Sequence, residues 1–551
     1  MTNYELTTLP DFSGREGPLV FIIMDGIGLG PENENNAYYL ANTPYLDKIQ
    51  QDWPKKQLYT KLKAHGTAVG LPTDEEMGNS EVGHNAFGAG RVVKQRAVMA
   101  KEAIFSKSLF EMKKWKEFTA KINEENKKLH YIGLLSDGYV HSHITHLIGL
   151  LHGAKNSGIE RLCVHPLLDG RDVPSQSALE YIDTLEKELK KINEEKGYDY
   201  TIASGGGRMR VTMDRYESDW DVVRRGWEAH VCGIPEKYPG YKGFFKSPQI
   251  AIKTARQLDP DLSDQYLPSF VIINDAHFPI GKMDNGDGVL FFNFRGDRAI
   301  EISRAFDEED FEDFEKKCNP NVYYYGLLKY DEEANIPKKY FIEPPQINNP
   351  ITKYLCAENV PQFAIAETHK YGHVTYFWNG NNEGYVCEEN EKYIEIKSDP
   401  SEMIEENPKM KADQVLESLL EALESQKFKF LRVNFANGDM VGHTGNIESA
   451  KIAAETVDKS VEEVVNKVNS LGGITIITAD HGNIEEMVGK YETAHTLNPV
   501  MFAIVDSQYD GEYVVRDDME DSALGNVAAT ILNLLGYQKP KDFFESLIKF
   551  T

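Results

Sequence analysis

At 551 residues the chain is too long for one hydrophobic core, and two or more domains are expected. Hydrophobic residues make up 41% and charged residues 27%, an ordinary soluble balance, and no apolar run approaches the roughly 20 residues of a membrane span. The net charge of −27 argues against nucleic acid or an anionic membrane as a partner, because both call for a positive surface.

The opening stretch, MTNYELTTLPDFSGREGP, has no basic start and no apolar segment, so it does not read as a signal peptide. From there the chain has α/β texture. PLVFIIMDG (18–26) reads as a buried strand ending at an Asp-Gly turn, and YIGLLSDG (131–138) has the same form. RLCVHPLLDGRDV (161–173), YTIASGGGR (200–208), VLFFNFRGDR (289–298), FLRVNFANGD (430–439) and GITIITADHGN (473–483) repeat it. Amphipathic helices lie between some of them. Val415, Leu416, Leu419, Leu420 and Leu423 share one face of 412–425, and Val457, Val461, Val464, Val465 and Val468 share one face of 448–470. The alternation predicts an α/β fold of two domains, each with a mostly parallel sheet flanked by helices. Ligands of such sheets bind beyond the carboxyl ends of the strands, where most of the candidate residues below fall.

Five cysteines (163, 232, 318, 356 and 387) are scattered, odd in number and without a CxxC pair. That argues against a disulfide framework or a cysteine zinc site, and for a reducing cytoplasm.

Metal-type residues sit at the two ends of the chain. Asp25 and Ser80 lie early; Asp439, His443, Asp480, His481 and His495 lie late. Asp439 and His443 are four apart and face the same way on one helical turn. Any one of these could be a turn or cap residue, but mixed oxygen and nitrogen ligands at strand ends suit Mn²⁺, Zn²⁺, Co²⁺ or Mg²⁺. A single site would require both chain ends to fold together and leave the middle as an insertion. The predicted division is 1–94 with 345–551 as one domain and 95–344 as an inserted one, with the Pro- and Asn-rich stretch 343–350 as a linker.

Ser80 lies in MGNSEVGHNAFGAGR, where glycines permit close approach of a ligand. Its plain alternative is a helix N-cap. It is not a nucleophile elbow, because Val82 stands where G-x-S-x-G needs glycine. Metal coordination would activate its hydroxyl instead. GIGLG (26–30) fails as a dinucleotide fingerprint at Pro31, and no P-loop motif is present. The middle supplies cations: Arg171 beside Asp172, then Arg208, Arg210 and Arg215, then Arg295 and Arg298. Arginine forks match phosphate and carboxylate, and their placement in three strand-end motifs predicts a shared anion site. His141 and His143 could be metal ligands or a substrate clamp, or one could be structural.

The motifs IIMDGIG, MGNSEVGHNAFGAGR, DGYVHSH, DGRDV, GGGR with MDRY, FFNFRGDRA, AETHKYGHVTYFWNG, NGDMVGHTG, TADHGN and TAHT together resemble the cofactor-independent phosphoglycerate mutases over about residues 18–500. The metal half is similar to the alkaline phosphatase superfamily. The resemblance implies a phosphatase-like domain carrying an inserted phosphotransferase domain, and interconversion of 3- and 2-phosphoglycerate. It implies two divalent ions, Mn²⁺ first, with Mg²⁺, Co²⁺ or Zn²⁺ as alternatives. Asp439, His443 and His495 would hold one ion; Asp25, Ser80, Asp480 and His481 would hold the other. Ser80 would be the nucleophile and Lys370 would contact the transferring phosphoryl group. His141, Arg171, Asp172, Arg208, Arg215, Arg295 and Arg298 would bind substrate, with Asp172 as a proton shuttle. A small-molecule substrate, no nucleic acid, no membrane, a monomer and a cytoplasmic location complete the expectation. Two features depart from the family's commoner pattern: the Arg208–Arg215 spacing is one residue longer, and a segment around 231–288 enlarges the insertion. A metal-dependent phosphatase and a catalytically silent metal-binding protein are the competing classes. The arginine-rich insertion disfavours the first, and the complete metal set with Ser80 disfavours the second.

Overall fold

The structure, a computed structural model, describes residues 4–215, 217–331, 334–344, 347–400 and 403–551. The chain divides into two compact units, one of Met1–Gln95 with Gln346–Thr551 and one of Arg96–Pro345. Residues 345 and 346 of the stretch read as a linker lie outside the described residues.

The first unit is built on a seven-stranded sheet. Its spatial order is Glu391–Ile396, Gln362–Glu367, Phe430–Phe435, Leu19–Met24, Ile474–Thr478, Val500–Asp506 and Tyr59–Leu62. The first five strands run parallel and the last two pairings are antiparallel. Leu19–Met24 is apolar at every position because both its faces are covered, as parallel strands require. Leu19 pairs with Phe430 on one side and with Ile474 on the other. The N-terminal strand is thus clamped between two late ones, and the two ends of the chain share one core. The helix Ile447–Ser470 buries Val457, Val461, Val464, Val465 and Val468, the stripe expected from their spacing.

The second unit has its own sheet, in the order Tyr340–Ile342, Tyr323–Leu328, Gly288–Phe291, Leu129–Leu135, Arg161–Leu168, Ser204–Gly207, Phe270–Ile272 and Phe244–Phe245. Asp199–Ile202 is also paired to Arg161–Leu168. All its pairings are parallel except that of Ser204–Gly207 with Phe270–Ile272. The segment 231–288 adds the edge strands Phe244–Phe245 and Phe270–Ile272 and the helix Pro248–Leu258. The α/β class and mostly parallel sheets expected from the strand–helix alternation are present in both units. Two runs are shorter than their motifs. The strand in 289–298 stops at Phe291, so Arg295 and Arg298 belong to the turn beyond it, and 200–208 breaks at Ala203 into two strands.

The reading of the cysteines is corrected. Cys232 pairs with Cys318 and Cys356 with Cys387, with Cα–Cα distances of 5.7 and 6.0 Å, and buried Cys163 is free. The partners lie 86 and 31 residues apart in sequence. Local spacing therefore carried no sign of them, and an odd count concealed two pairs. Denaturing the protein without reductant and alkylating it should label Cys163 alone, as read by mass spectrometry; five labelled cysteines would refute the pairing.

One glycine ties the first strand to the site. Gly26 has φ +73°, and a Cβ there would lie 2.5 Å from Asp439 Cα. A left-handed conformation costs a side chain about 1–3 kcal/mol before that clash is counted. Gly26→Ala should therefore lower the melting temperature by several degrees, and an unchanged transition would contradict the close approach.

Candidate active site

Four adjacent parallel strands deliver their carboxyl ends to one place in the first unit. Asp25 follows Leu19–Met24, and Asp439 lies in the helix Asn437–Gly442 after Phe430–Phe435. Asp480 and His481 follow Ile474–Thr478, and Lys370 lies in the helix Thr368–Gly372 after Gln362–Glu367. Ser80 opens the helix Ser80–Ala89. Its neighbour Asn79 is the N-cap, with a side chain that accepts from the Val82 amide, so the serine hydroxyl is not spent on capping.

Ser80 Oγ lies 2.9 Å from His481 Nε2, 3.2 Å from Asp25 Oδ1 and 2.5 Å from Lys370 Nζ. Lys370 Nζ also donates to Asp25 Oδ1 at 2.9 Å and to Asp439 Oδ2 at 2.6 Å. Asp25, Asp439, Asp480 and Lys370 are all buried. One ammonium among three carboxylates leaves a deficit of positive charge. Burial and the neighbouring Asp480 push Asp25 up to about 6. Burial would lower Lys370, but Asp25, Asp439 and Asp480 outweigh it and raise it. Burial likewise opposes Asp439, yet Lys370 and the histidines hold it well below the usual carboxylate range.

The histidines fit metal ions. His443 Nδ1 donates to the Thr493 carbonyl at 2.8 Å, His495 Nδ1 to the Gly78 carbonyl at 2.8 Å, and His481 Nδ1 to the Gly482 carbonyl at 3.2 Å. A carbonyl can only accept, so the Nδ1 of each ring carries a proton and Nε2 points inward, bare whenever the ring is neutral. Burial is outweighed by the neighbouring carboxylates at His443 and His481, which are raised, and prevails at His495, which is lowered. His495 Nε2 and His443 Nε2 then lie 3.0 and 3.2 Å from Asp439 Oδ1 and 3.2 Å from each other. Lone pairs facing a carboxylate require a cation or extra protons between them. Asp480 Oδ2 is buried and lacks a hydrogen-bond partner among the described residues. Asp439, His481 and His495 form one group able to hold an ion, and Asp25, Asp480 and His481 form another.

In the second unit the arginines converge. Arg208 donates to Asp169 Oδ1 at 2.8 Å and pairs with Asp172. Arg215 and Arg295 bracket Asp297, at 3.3 Å from Oδ2 and 3.1 Å from Oδ1. Arg298 donates to the Met213 carbonyl at 2.6 Å. His141 Nδ1 lies 3.6 Å from Asp297 Oδ1. Burial, then the charges of Arg208, Arg295, Arg298 and Arg215, push His141 down to about 2, so its ring is neutral. Burial and the charges of Arg215, Arg208 and Arg171 also lower Arg298. So many cations around one point are stabilised by an anion.

A family model described as the metalloenzyme superfamily matches residues 17–539. The chain is 43% identical to the 2,3-bisphosphoglycerate-independent phosphoglycerate mutase of Trypanosoma brucei brucei, over 96% of this chain and 97% of that one. It is also 43% identical to the enzyme of that name from Ricinus communis, over 96% of each chain. A crystal structure of Leishmania mexicana phosphoglycerate mutase, obtained at low cobalt concentration, superposes with a TM-score of 0.74 at 41% identity, covering 99% of this chain and 100% of that one. The chain belongs to the 2,3-bisphosphoglycerate-independent phosphoglycerate mutase family.

The loop after Arg208 is anchored locally. Arg210 is turned away from the other arginines: its Nε reaches both carboxylate oxygens of Glu236, at 2.9 and 3.0 Å, and its guanidinium lies over the Tyr238 ring. The segment 231–288 thus holds Arg210. His143 is the structural one of the histidine pair, since its Nδ1 caps the helix Ile144–Asn156 by accepting from the Thr145 amide at 3.2 Å. Several supporting residues escaped the sequence reading. Asn434 donates to Asp25 Oδ2 at 2.6 Å, and Asn483 donates to Asp439 Oδ1 at 3.0 Å. Buried Glu485 accepts from the amides of Gly28 and Asn483. Asp297 alone had a visible signal, lying between Arg295 and Arg298 in FFNFRGDRA.

Glu301 lies behind the arginine loop. Burial, with the Asp214 and Glu217 carboxylates beside it, pushes it up to about 7 even though the Glu217 amide donates to it. The unfolded value is about 4.3. The folded state therefore holds a proton that the unfolded chain releases, and this stabilisation is complete below about pH 4.3 and lost as pH rises through 7. Glu301→Gln should raise the melting temperature relative to the parent at pH 8 and leave it nearly level at pH 5; an equal difference at both would contradict the assignment.

Proposed function

We propose that this chain interconverts 3-phosphoglycerate and 2-phosphoglycerate through a phosphoserine at Ser80, without 2,3-bisphosphoglycerate, as a monomeric enzyme of glycolysis and gluconeogenesis. The observation that carries the reading is Ser80 Oγ, which accepts from Lys370 Nζ at 2.5 Å and has Asp25 Oδ1 and His481 Nε2 at 3.2 and 2.9 Å as acceptors for its one proton. A hydroxyl in that setting is poised as a nucleophile for a charged electrophile.

Asp439, His443 and His495 would hold one Mn²⁺ ion and Asp25, Ser80, Asp480 and His481 a second. When bound, the ions would neutralise phosphate charge and lower the Ser80 hydroxyl pKa. The remaining work falls to the chain's own groups. Ser80 Oγ attacks the phosphorus in line and the oxygen on C3 of the glycerate leaves. Lys370 Nζ, held 2.5 Å from Ser80 Oγ, follows the charge that spreads over the equatorial phosphoryl oxygens. Arg171, Arg208, Arg215, Arg295 and Arg298, with neutral His141, hold the glycerate while it reorients. Asp172, whose carboxylate pairs with Arg208, shuttles the proton between the two glycerate hydroxyls. The 2-hydroxyl then attacks the phosphoserine and restores Ser80. Retained glycerate makes the enzyme a mutase; water in its place would make it a phosphatase.

Ser80→Ala should reduce turnover by at least about 10⁴-fold, as removal of a nucleophile does, while divalent metal content measured by emission spectrometry stays near that of the parent. Near-normal turnover would refute the serine's role. Chelation should abolish turnover in an enolase-coupled assay, added 2,3-bisphosphoglycerate should not be required, and free phosphate should stay far below product. Phosphate matching product would convert the reading to a phosphatase.

A further inference from the structure

The core of the second unit contains an unbroken line of hydrogen bonds that the proposed chemistry does not use. Asp287 Oδ2 lies 3.2 Å from His130 Nε2, and His130 Nδ1 lies 3.0 Å from His165 Nε2. His165 Nδ1 lies 2.6 Å from Ser204 Oγ, which lies 2.8 Å from His230 Nδ1. His230 Nε2 lies 3.1 Å from Thr212 Oγ1. All six residues are buried. They come from four elements and two loops, so no short motif announces them. His130 and His165 stand on the paired strands Leu129–Leu135 and Arg161–Leu168, Ser204 on Ser204–Gly207 and His230 at the end of the helix Trp220–His230.

The proton order along this line is fixed by one end. Asp287 also accepts from the Lys128 and Asp284 amides, at 2.9 Å each, so its carboxylate only accepts. Burial lowers all three histidines, His230 to about 3, so each ring is neutral and has one N–H. His130 must then donate from Nε2 to Asp287 and accept at Nδ1. His165 must donate from Nε2 and accept at Nδ1 from the Ser204 hydroxyl. Ser204 has spent its proton and accepts from His230 Nδ1–H, and His230 Nε2 accepts from the Thr212 hydroxyl. One direction satisfies every member, and such a fully satisfied network is rigid.

The far end is where rigidity has a use. Thr212 has φ +72°, a conformation that a β-branched residue resists, within a tight turn closed by the Met213 amide donating to the Val211 carbonyl at 2.8 Å. Gly226 is what lets the hydroxyl in, since a Cβ there would lie 2.0 Å from Thr212 Oγ1. The carbonyl of the next residue, Met213, accepts from Arg298, and Arg215 follows two residues on.

We propose that the line Asp287–His130–His165–Ser204–His230–Thr212 is a positioning relay that locks the strained turn at Thr212 and so sets Arg298 and Arg215 for binding the phosphoglycerate. This rests on the reading of the arginine cluster as the substrate-holding site. The six are positioning residues and touch no reacting atom.

The experiment pairs a spectrum with kinetics on the full-length metal-loaded enzyme. Nitrogen-15 NMR of histidine-labelled protein at pH 7 should show His130 and His165 protonated at Nε2 and His230 at Nδ1. A cationic ring or a reversed tautomer among the three overturns the relay. Thr212→Val keeps the branched outline and replaces the hydroxyl by a methyl group, so the hydrogen bond to His230 is lost. It should raise KM for 3-phosphoglycerate about tenfold, the worth of one buried hydrogen bond, with kcat within about twofold. Thr212→Ser, which restores the hydroxyl, should return KM to within about threefold of the parent. An unchanged KM in Thr212→Val, or an equal defect in both variants, overturns the proposal. Should the parent enzyme fail to isomerise phosphoglycerate at all, the proposed function falls, while the nitrogen spectrum still judges the proton order by itself.

Discussion

Three buried carboxylates sharing one lysine are the constraint on which the first unit turns. Each ion taken from water costs several kcal/mol unless it is compensated, and Lys370 compensates Asp25 and Asp439 directly. The remaining deficit explains why burial and Asp480 raise Asp25. It also accounts for three imidazoles that aim Nε2 at the same small volume. A parallel sheet is suited to this arrangement, because neighbouring strands release their chains at one edge and each can place a side chain there. Lone pairs and negative charge that would be costly in an ordinary core become a receptor for divalent cations.

The second unit poses the inverse problem. Its arginines repel one another: burial first, and then the neighbouring guanidinium charges, lowers both His141 and Arg298. Asp169 and Asp172, which pair with Arg208, and Asp297, which pairs with Arg215 and Arg295, moderate that repulsion without cancelling it, since five arginines face these three carboxylates. The result is a local excess of positive charge on a protein whose net charge is −27. The Arg210–Glu236 pair shows the same principle used differently. There the charge is matched by Glu236, and the residue serves the packing of the loop.

The carboxylates, imidazoles and arginines could be read as candidates in the sequence because their residue types are chemically conspicuous and sit at the ends of apolar runs. The residues that orient them could not. Asn434 and Asn483 are ordinary polar residues until a buried carboxylate oxygen is found within 3.0 Å of each. Glu485 looks like a surface acid in NIEEM, yet it is buried and takes two backbone amides. The cysteines failed for a related reason: bridges closing 86 and 31 residues are a property of the folded path and leave no periodicity behind.

The sequence by itself determined the class of fold, through apolar runs alternating with amphipathic stripes, and the identity of the chemical groups, through motifs at the ends of those runs. These are local properties, since period and burial are set by neighbours a few residues away. Only the tertiary structure decided which groups meet. Leu19 between Phe430 and Ile474 brings Asp25 to Asp439 and Asp480, and the line from Asp287 to Thr212 crosses four elements. Contacts of that range depend on strand order and register, and hydrophobic patterning constrains the face a residue takes without naming the strand that will lie beside it.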